Sequence, residues 1–329
     1  MTIAASRHLI LSAMAALLLS ACGGSAGNAD MSGNNSTVTS SASTALSAVA
    51  SSTSIDASGS APLSVGNVAA DGRNWINYRR AQIGMAMLTE NPLVDRAAQS
   101  HSDYQRMNNT ISHSEEPNAW GYTGAGLDQR LAKAGLSLAS SGYAYGEVIS
   151  STTNTSGFFM AEELVTAIYH RFVIFEPVFK DIGTGSATSE RNYTYFTADF
   201  VANNGYGPGL GRGKLRNWPV NGQSGVQPNF FSDHEEPDPV DQVNEVGYPV
   251  SVHGDLGTVI TISKFSIKPR NGGELNVKLL QNATDARTPA SAAAIIPLAP
   301  LAPATTYDVV FTGSAGGAPV SLGWSFTTK

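Results

Sequence analysis

An α+β domain followed by a small all-β sandwich is the fold class that this 329-residue chain predicts. Two observations carry it. Between residues 66 and 205, segments with helical apolar spacing alternate with β-rich pieces. Beyond Gly247 the helical spacing stops, and short β-branched runs follow one another between Gly, Pro, Asn and Asp turns.

The first 65 residues precede that fold. Arg7 and the apolar run Leu9 to Leu19 have the size of a cleaved export signal rather than of a membrane span, and Leu17-Leu-Leu-Ser-Ala-Cys22-Gly23 reads as a lipobox. Its last residue must be Cys because the thiol accepts diacylglycerol, so residues 1–22 are expected to be a lipoprotein signal with Cys22 as the lipidated terminus. Gly23 after the Cys, in place of Asp, points to the outer rather than the inner membrane of a bacterial envelope. Residues 23–65 are Ser, Thr, Ala, Gly and Asn with almost no bulky side chain, the composition of a disordered tether.

Order is expected from Val65. Asp71 is placed to cap a first helix through Trp75, Ile76 and Arg79 to Gln82, a second helix runs from Leu93 to Met107, and a third from Asp128 to Gly135. Phe158 to Phe172 supplies a fourth. Strands are expected at 143–149, 180–185 and 193–201. Residues 206–246, rich in Gly, Pro, Asn and acids, read as an irregular linker. Residues 247–329 hold the runs Val259-Ile-Thr-Ile262, Leu275-Asn-Val-Lys-Leu279, Tyr307-Asp-Val-Val-Phe311 and Leu322-Gly-Trp-Ser-Phe-Thr-Thr328.

Composition removes several functions. The net charge is −6 and the cations are scattered, so nucleic-acid binding is not supported. The single Cys is the lipobox residue, which excludes a cysteine nucleophile and any internal disulfide. Five histidines lie beyond the signal. His101 sits mid-helix among Ala97, Ala98 and Tyr104 and reads as a packed core residue; His234, among Asp233, Glu235 and Glu236, reads as solvated linker. His113, Glu147 and His170 come from three remote segments. Brought into one cleft, two imidazoles and a carboxylate could hold a divalent metal, zinc being the best match to those donors.

The series Asn77-Tyr-Arg-Arg80, Gly84, Leu93, Ala98, His101-Ser102, Ser112-His113, Asp128-Gln-Arg130, Gly135, Gly146-Glu147, His170-Arg171 and Ile182-Gly-Thr-Gly185 resembles the CAP superfamily, the cysteine-rich secretory, antigen 5 and pathogenesis-related 1 proteins. The resemblance implies an α-β-α sandwich with a cleft of two histidines and two acids. His113, Glu147 and His170 would take three of those places, with Glu163 the nearest fourth acid. The chain departs from the family at Gly-Glu-Val in place of Gly-Glu-Asn, at Leu164 where a Trp is usual, and at Ala-Ile-Tyr in place of Ser-Pro-Gly before His170. Pro303-Ala-Thr-Thr-Tyr307 and Trp324-Ser-Phe-Thr-Thr328 resemble bacterial immunoglobulin-like domains.

Three function classes follow. The first is a lipid-anchored, non-enzymatic CAP-type module that binds a lipid, peptide or protein ligand in its cleft. The second is a metal-dependent peptide or ester hydrolase in which Glu147 shuttles a proton from metal-bound water. The third is a structural scaffold of the envelope.

Overall fold

The computed structural model describes residues 8–12 and 60–329. Cys22 and nearly all of the expected tether lie outside the described residues. Five helices and sixteen strands are described, in this order: β1 His8–Ser12, α1 Val68–Gln82, β2 Thr89–Glu90, α2 Pro92–Asn108, α3 Leu127–Lys133, β3 Ala144–Thr152, α4 Gly157–Thr166, α5 Ile168–Ile174, β4 Asp181–Thr188, β5 Thr194–Ala202, β6 Arg216–Trp218, β7 Gln223–Val226, β8 Asn229–Phe231, β9 Glu235–Glu236, β10 Glu245–Gly247, β11 Val250–His253, β12 Ile260–Pro269, β13 Val277–Gln281, β14 Ala292–Pro297, β15 Thr306–Ala315 and β16 Ala318–Thr328.

A six-stranded sheet in the order β2-β4-β5-β3-β1-β9 runs through the helical unit. Its centre, β3-β5-β4, is antiparallel, and Glu147 stands opposite Asp199 in the ladder. β1 lies inside the segment expected to be the signal; it pairs antiparallel with β3 and parallel with β9. Successive side chains of a strand point to opposite faces. On β5, Thr197 meets Ser102 and Gln105 of α2, while Phe196, Ala198 and Phe200 enter the main core with α1, α4 and α5. The helices thus divide, α2 and α3 on one face and α1, α4 and α5 on the other.

Several residues of the family-like series now have a structural reason. A side chain at Gly183 or Gly185 on β4 would collide with the backbone of α2 at Val94 or Gln99, so glycine there lets the helix lie against the sheet. Asn77 donates to the Leu88 carbonyl and accepts from the Leu88 amide, at 2.9 and 2.7 Å, tying α1 to the turn that follows it. Arg80 is fully buried and donates to the carbonyls of Ala86, Ile174 and Glu176.

Three expectations need correction. Asn67, not Asp71, caps α1; Asp71 instead accepts from Ser64 and the Val65 amide and pins the entering chain. The expected fourth helix is two, broken at Ala167, whose ψ of 123° is extended. The expected linker 206–246 holds five short strands, β6 to β10, and buries Leu215, Trp218, Val226, Phe230, Val240 and Val246. Strands of two to four residues are too short for alternation to show in the sequence.

The C-terminal region consists of two four-stranded sheets, β13-β14-β11-β6 and β12-β15-β16-β7, each completed by a strand from the former linker. β14, Ala292-Ala-Ala-Ile-Ile-Pro297, is wholly buried. One continuous core joins these sheets to the helical unit, from Ile76 and Val165 through Trp218 and Val250 to Phe311 and Phe326. Among the described residues no helix is long and apolar enough to cross a membrane.

Candidate functional site

His113 follows α2, and Glu147 projects from β3 toward α3. Glu147 Oε1 accepts from His113 Nδ1 at 2.7 Å, and Oε2 accepts from Arg130 of α3 at 2.5 Å. A second Arg130 nitrogen donates to the His113 carbonyl at 2.9 Å, so the guanidinium fixes both members of the pair. The site is enclosed, with Glu147 2% and Arg130 1% exposed and His113 9%. Burial alone would raise the Glu147 carboxyl, but Arg130, with His101 and His113, overcomes it and holds the acid well below the usual carboxylate range. The same negative charge raises Arg130 against the lowering that burial imposes.

Asp199 completes this cluster and was not anticipated. It is fully buried opposite Glu147, and among the described residues neither of its oxygens has a hydrogen-bond partner. Burial, then the charge of Glu147, pushes its carboxyl well above the ordinary value. The sequence did carry a signal: Asp199 is the sole acidic residue in Thr194–Ala202, a strand buried along its whole length. An acid in such a run is costly unless another group in the fold meets it.

His170 has a different partner. It begins the second residue pair of α5, and its Nδ1 donates to Glu235 Oε1 at 2.9 Å. The same carboxylate accepts from the backbone amides of Ile168, Tyr169 and His170 at 2.8, 2.7 and 3.1 Å. α5 starts at Ala167, which offers no capping side chain, and Glu235 supplies the missing acceptor from the far side of the chain. His170 and Glu235 are 0% and 1% exposed. Arg171 beside them donates to the carbonyls of Val165, Thr166 and Pro249 and to the Ser251 hydroxyl, a second tie between the helical unit and the C-terminal sheets.

His113 thus pairs with Glu147, and His170 pairs with Glu235. α5 packs on the face of β3 that Gly146 presents, where an added side chain would meet Val173, whereas Glu147 points to the α3 face. Glu163, the expected fourth acid, lies half-buried on α4, and the acid that holds His170 is Glu235, from the segment read as solvated linker. Among the described residues no group of three or more His, Cys, Asp or Glu is placed to hold a metal ion. A third dyad is structural: His101 is fully buried, with Glu115 at 2.9 Å from Nδ1 and the Ser112 carbonyl at 2.8 Å from Nε2, as its mid-helix setting suggested. Glu115 in turn accepts from Thr123 and the Gly124 amide, which pins the loop between α2 and α3.

Residues 74–200 match the family model of CAP, the Cysteine-rich secretory protein family. Among solved structures, the chain is similar to an extracellular protein containing a SCP domain from Bacillus anthracis, at 18% identity and a TM-score of 0.36, covering 44% of this chain and 45% of that one. It is also similar to an outer surface protein from Borrelia burgdorferi, at 15% identity and a TM-score of 0.33, covering 40% of this chain and 90% of that one. The chain thus spans less than half the length of the Bacillus protein. No curated protein matches it.

Proposed function

We propose that the chain is an exported, lipid-anchored envelope protein whose CAP-type domain holds a ligand and does not transform one. One observation supports this most. Glu147, the acid that a hydrolytic mechanism needs as a proton shuttle, commits one oxygen to His113 and the other to Arg130 inside the protein, and its charge is held well below the range in which a shuttle works. A carboxylate so engaged shapes the loop carrying His113 and keeps its imidazole in one orientation. The reading needs no resident metal.

Export and anchoring rest on the lipobox at Leu19-Ser-Ala-Cys22, and the immunoglobulin-like reading of residues 247–329 makes the C-terminal sheets an adaptor behind the CAP-type domain. The tether would let both stand off from the membrane. Two experiments test the proposal. Peptide and ester substrate panels, with and without chelator, are expected to show no chelator-sensitive turnover; turnover abolished by chelator and by His113→Ala contradicts it. Labelled palmitate fed to cells expressing the full chain is expected to enter the protein and to be lost in Cys22→Ala, and an unlabelled parent chain contradicts the anchor.

A further inference from the structure

A cavity of about 580 Å³ opens where α1 and α4 face the loop around β7, at the seam between the helical unit and the C-terminal sheets. None of the dyad residues lines it, so it is a separate feature of the molecule. Its volume falls in the range of small-molecule sites.

One wall is a fixed polar network. Arg79 donates through Nε and Nη2 to the two oxygens of Glu162, both at 2.8 Å, and Trp75 Nε1 donates to Glu162 at 2.7 Å. Arg79 Nη1 donates to Gln82 at 2.7 Å, and the Gln82 amide nitrogen donates to the Tyr78 hydroxyl at 2.8 Å. The guanidinium also lies over the Trp75 and Tyr78 rings, 4.9 and 5.5 Å from their centroids. Cation and anion therefore cancel within the wall, and what it offers a ligand is dipolar: the Tyr78 hydroxyl hydrogen, whose oxygen has already accepted, and the second N–H of Gln82.

The opposite wall is made the same way. Gln223 accepts from the Val220 amide at 2.9 Å and Asn221 from the Ser325 amide at 3.0 Å. Each amide oxygen is thereby anchored, and each NH₂ group is set as a donor. The remaining charged lining residue is the exposed Lys329.

We infer that this cavity is a binding site for a neutral saccharide of one or two rings. Sugar hydroxyls accept from the Gln, Asn and Tyr donors, and the apolar C–H face of a pyranose packs on the tyrosine ring. An anionic ligand would approach the Glu162 carboxylate, and a cationic one the Arg79 guanidinium, so neutrality is favoured from both sides.

The test is saturation-transfer NMR with calorimetry on the full chain. The probes are N,N′-diacetylchitobiose, cellobiose and, as an anionic control, glucose 6-phosphate. At least one neutral disaccharide is expected to bind with millimolar or tighter affinity. That binding is expected to weaken at least about tenfold in a Tyr78→Phe, Gln223→Ala double variant. Ser224→Trp, at an exposed lining position on β7, is expected to fill the cavity and abolish binding while the thermal melt stays that of the parent. Absence of transfer to both neutral sugars overturns the assignment, as does tighter binding of glucose 6-phosphate or undiminished binding by Ser224→Trp.

Discussion

The helical unit and the C-terminal sheets spend their charged residues in opposite ways. In the helical unit Arg80, Arg130, Arg171, Glu115, Glu147 and Asp199 are all buried, most of them bound to a named partner at short range. In the C-terminal sheets the ion pairs Lys264–Glu274 and Arg270–Asp308 lie at the surface, and the interior is Phe265, Phe311, Trp324 and Phe326. Burying ions yields little net stability, because desolvation offsets attraction. In the helical unit those buried ions fix loops and helix ends in one arrangement, whereas the C-terminal sheets rest on their apolar core.

The contrast predicts a graded response to mutation. The largest effect is expected for Glu147→Gln, which leaves Arg130 buried without its anion; a loss of about 3–5 kcal/mol should appear in urea denaturation. A loss under about 1 kcal/mol would mean that Arg130 finds another partner or water, and the closed site would have to be abandoned.

Next comes Glu235→Ala. It removes one carboxylate that serves three backbone amides and the His170 ring, and a loss of about 2–3 kcal/mol is expected. Because Glu235 joins the former linker to α5, hydrogen exchange of the α5 amides should rise with it. Protection unchanged at 168–170 would show that the cap comes from elsewhere.

A pH series sharpens the same comparison. Burial raises Glu176 to about 7 and Asp95 to about 6, and burial with the charge of Glu147 raises Asp199 well above the ordinary value. An acid with a raised folded value costs stability as pH climbs from its unfolded value to its folded one; for Glu176 that window is from 4.5 to about 7. Glu147 and Glu115 are lowered, so their contribution is complete above 4.5 and is lost as pH falls below it. Stability should therefore peak at or just below 4.5 and decline toward neutrality. Asp199→Asn should flatten that decline, and a parent curve that rises through neutral pH would contradict the assignment. At the bottom of the scale, Arg270→Ala, in the exposed pair with Asp308, is expected to leave the denaturation midpoint unchanged.

Much of the fold was legible because its elements obey local rules. The start of α2 near Leu93 and the Gly135 turn after α3 are both written in short stretches of sequence. The pairing of Glu147 with His113 was also legible, through the family-like series. What sequence did not show is what distance hides. Glu235 acts on a helix 65 residues away, and its acidic neighbours Asp233 and Glu236 made it look solvated. Asp199 acquires its meaning only when β3 and β5 are set in register. The break at Ala167 leaves no mark in an apolar run, because the acceptor for the first amides of α5 is borrowed from the second half of the chain.

His113 and Arg130 hold Glu147 on one side, and Glu235 holds His170 on the other. Zinc calorimetry on the folded chain at neutral pH tests that arrangement most directly. No stoichiometric uptake is expected, and His113→Ala and His170→Ala should each leave the titration as it was. Uptake of one equivalent that is lost in both variants would place the two imidazoles on one ion and contradict the two-dyad arrangement.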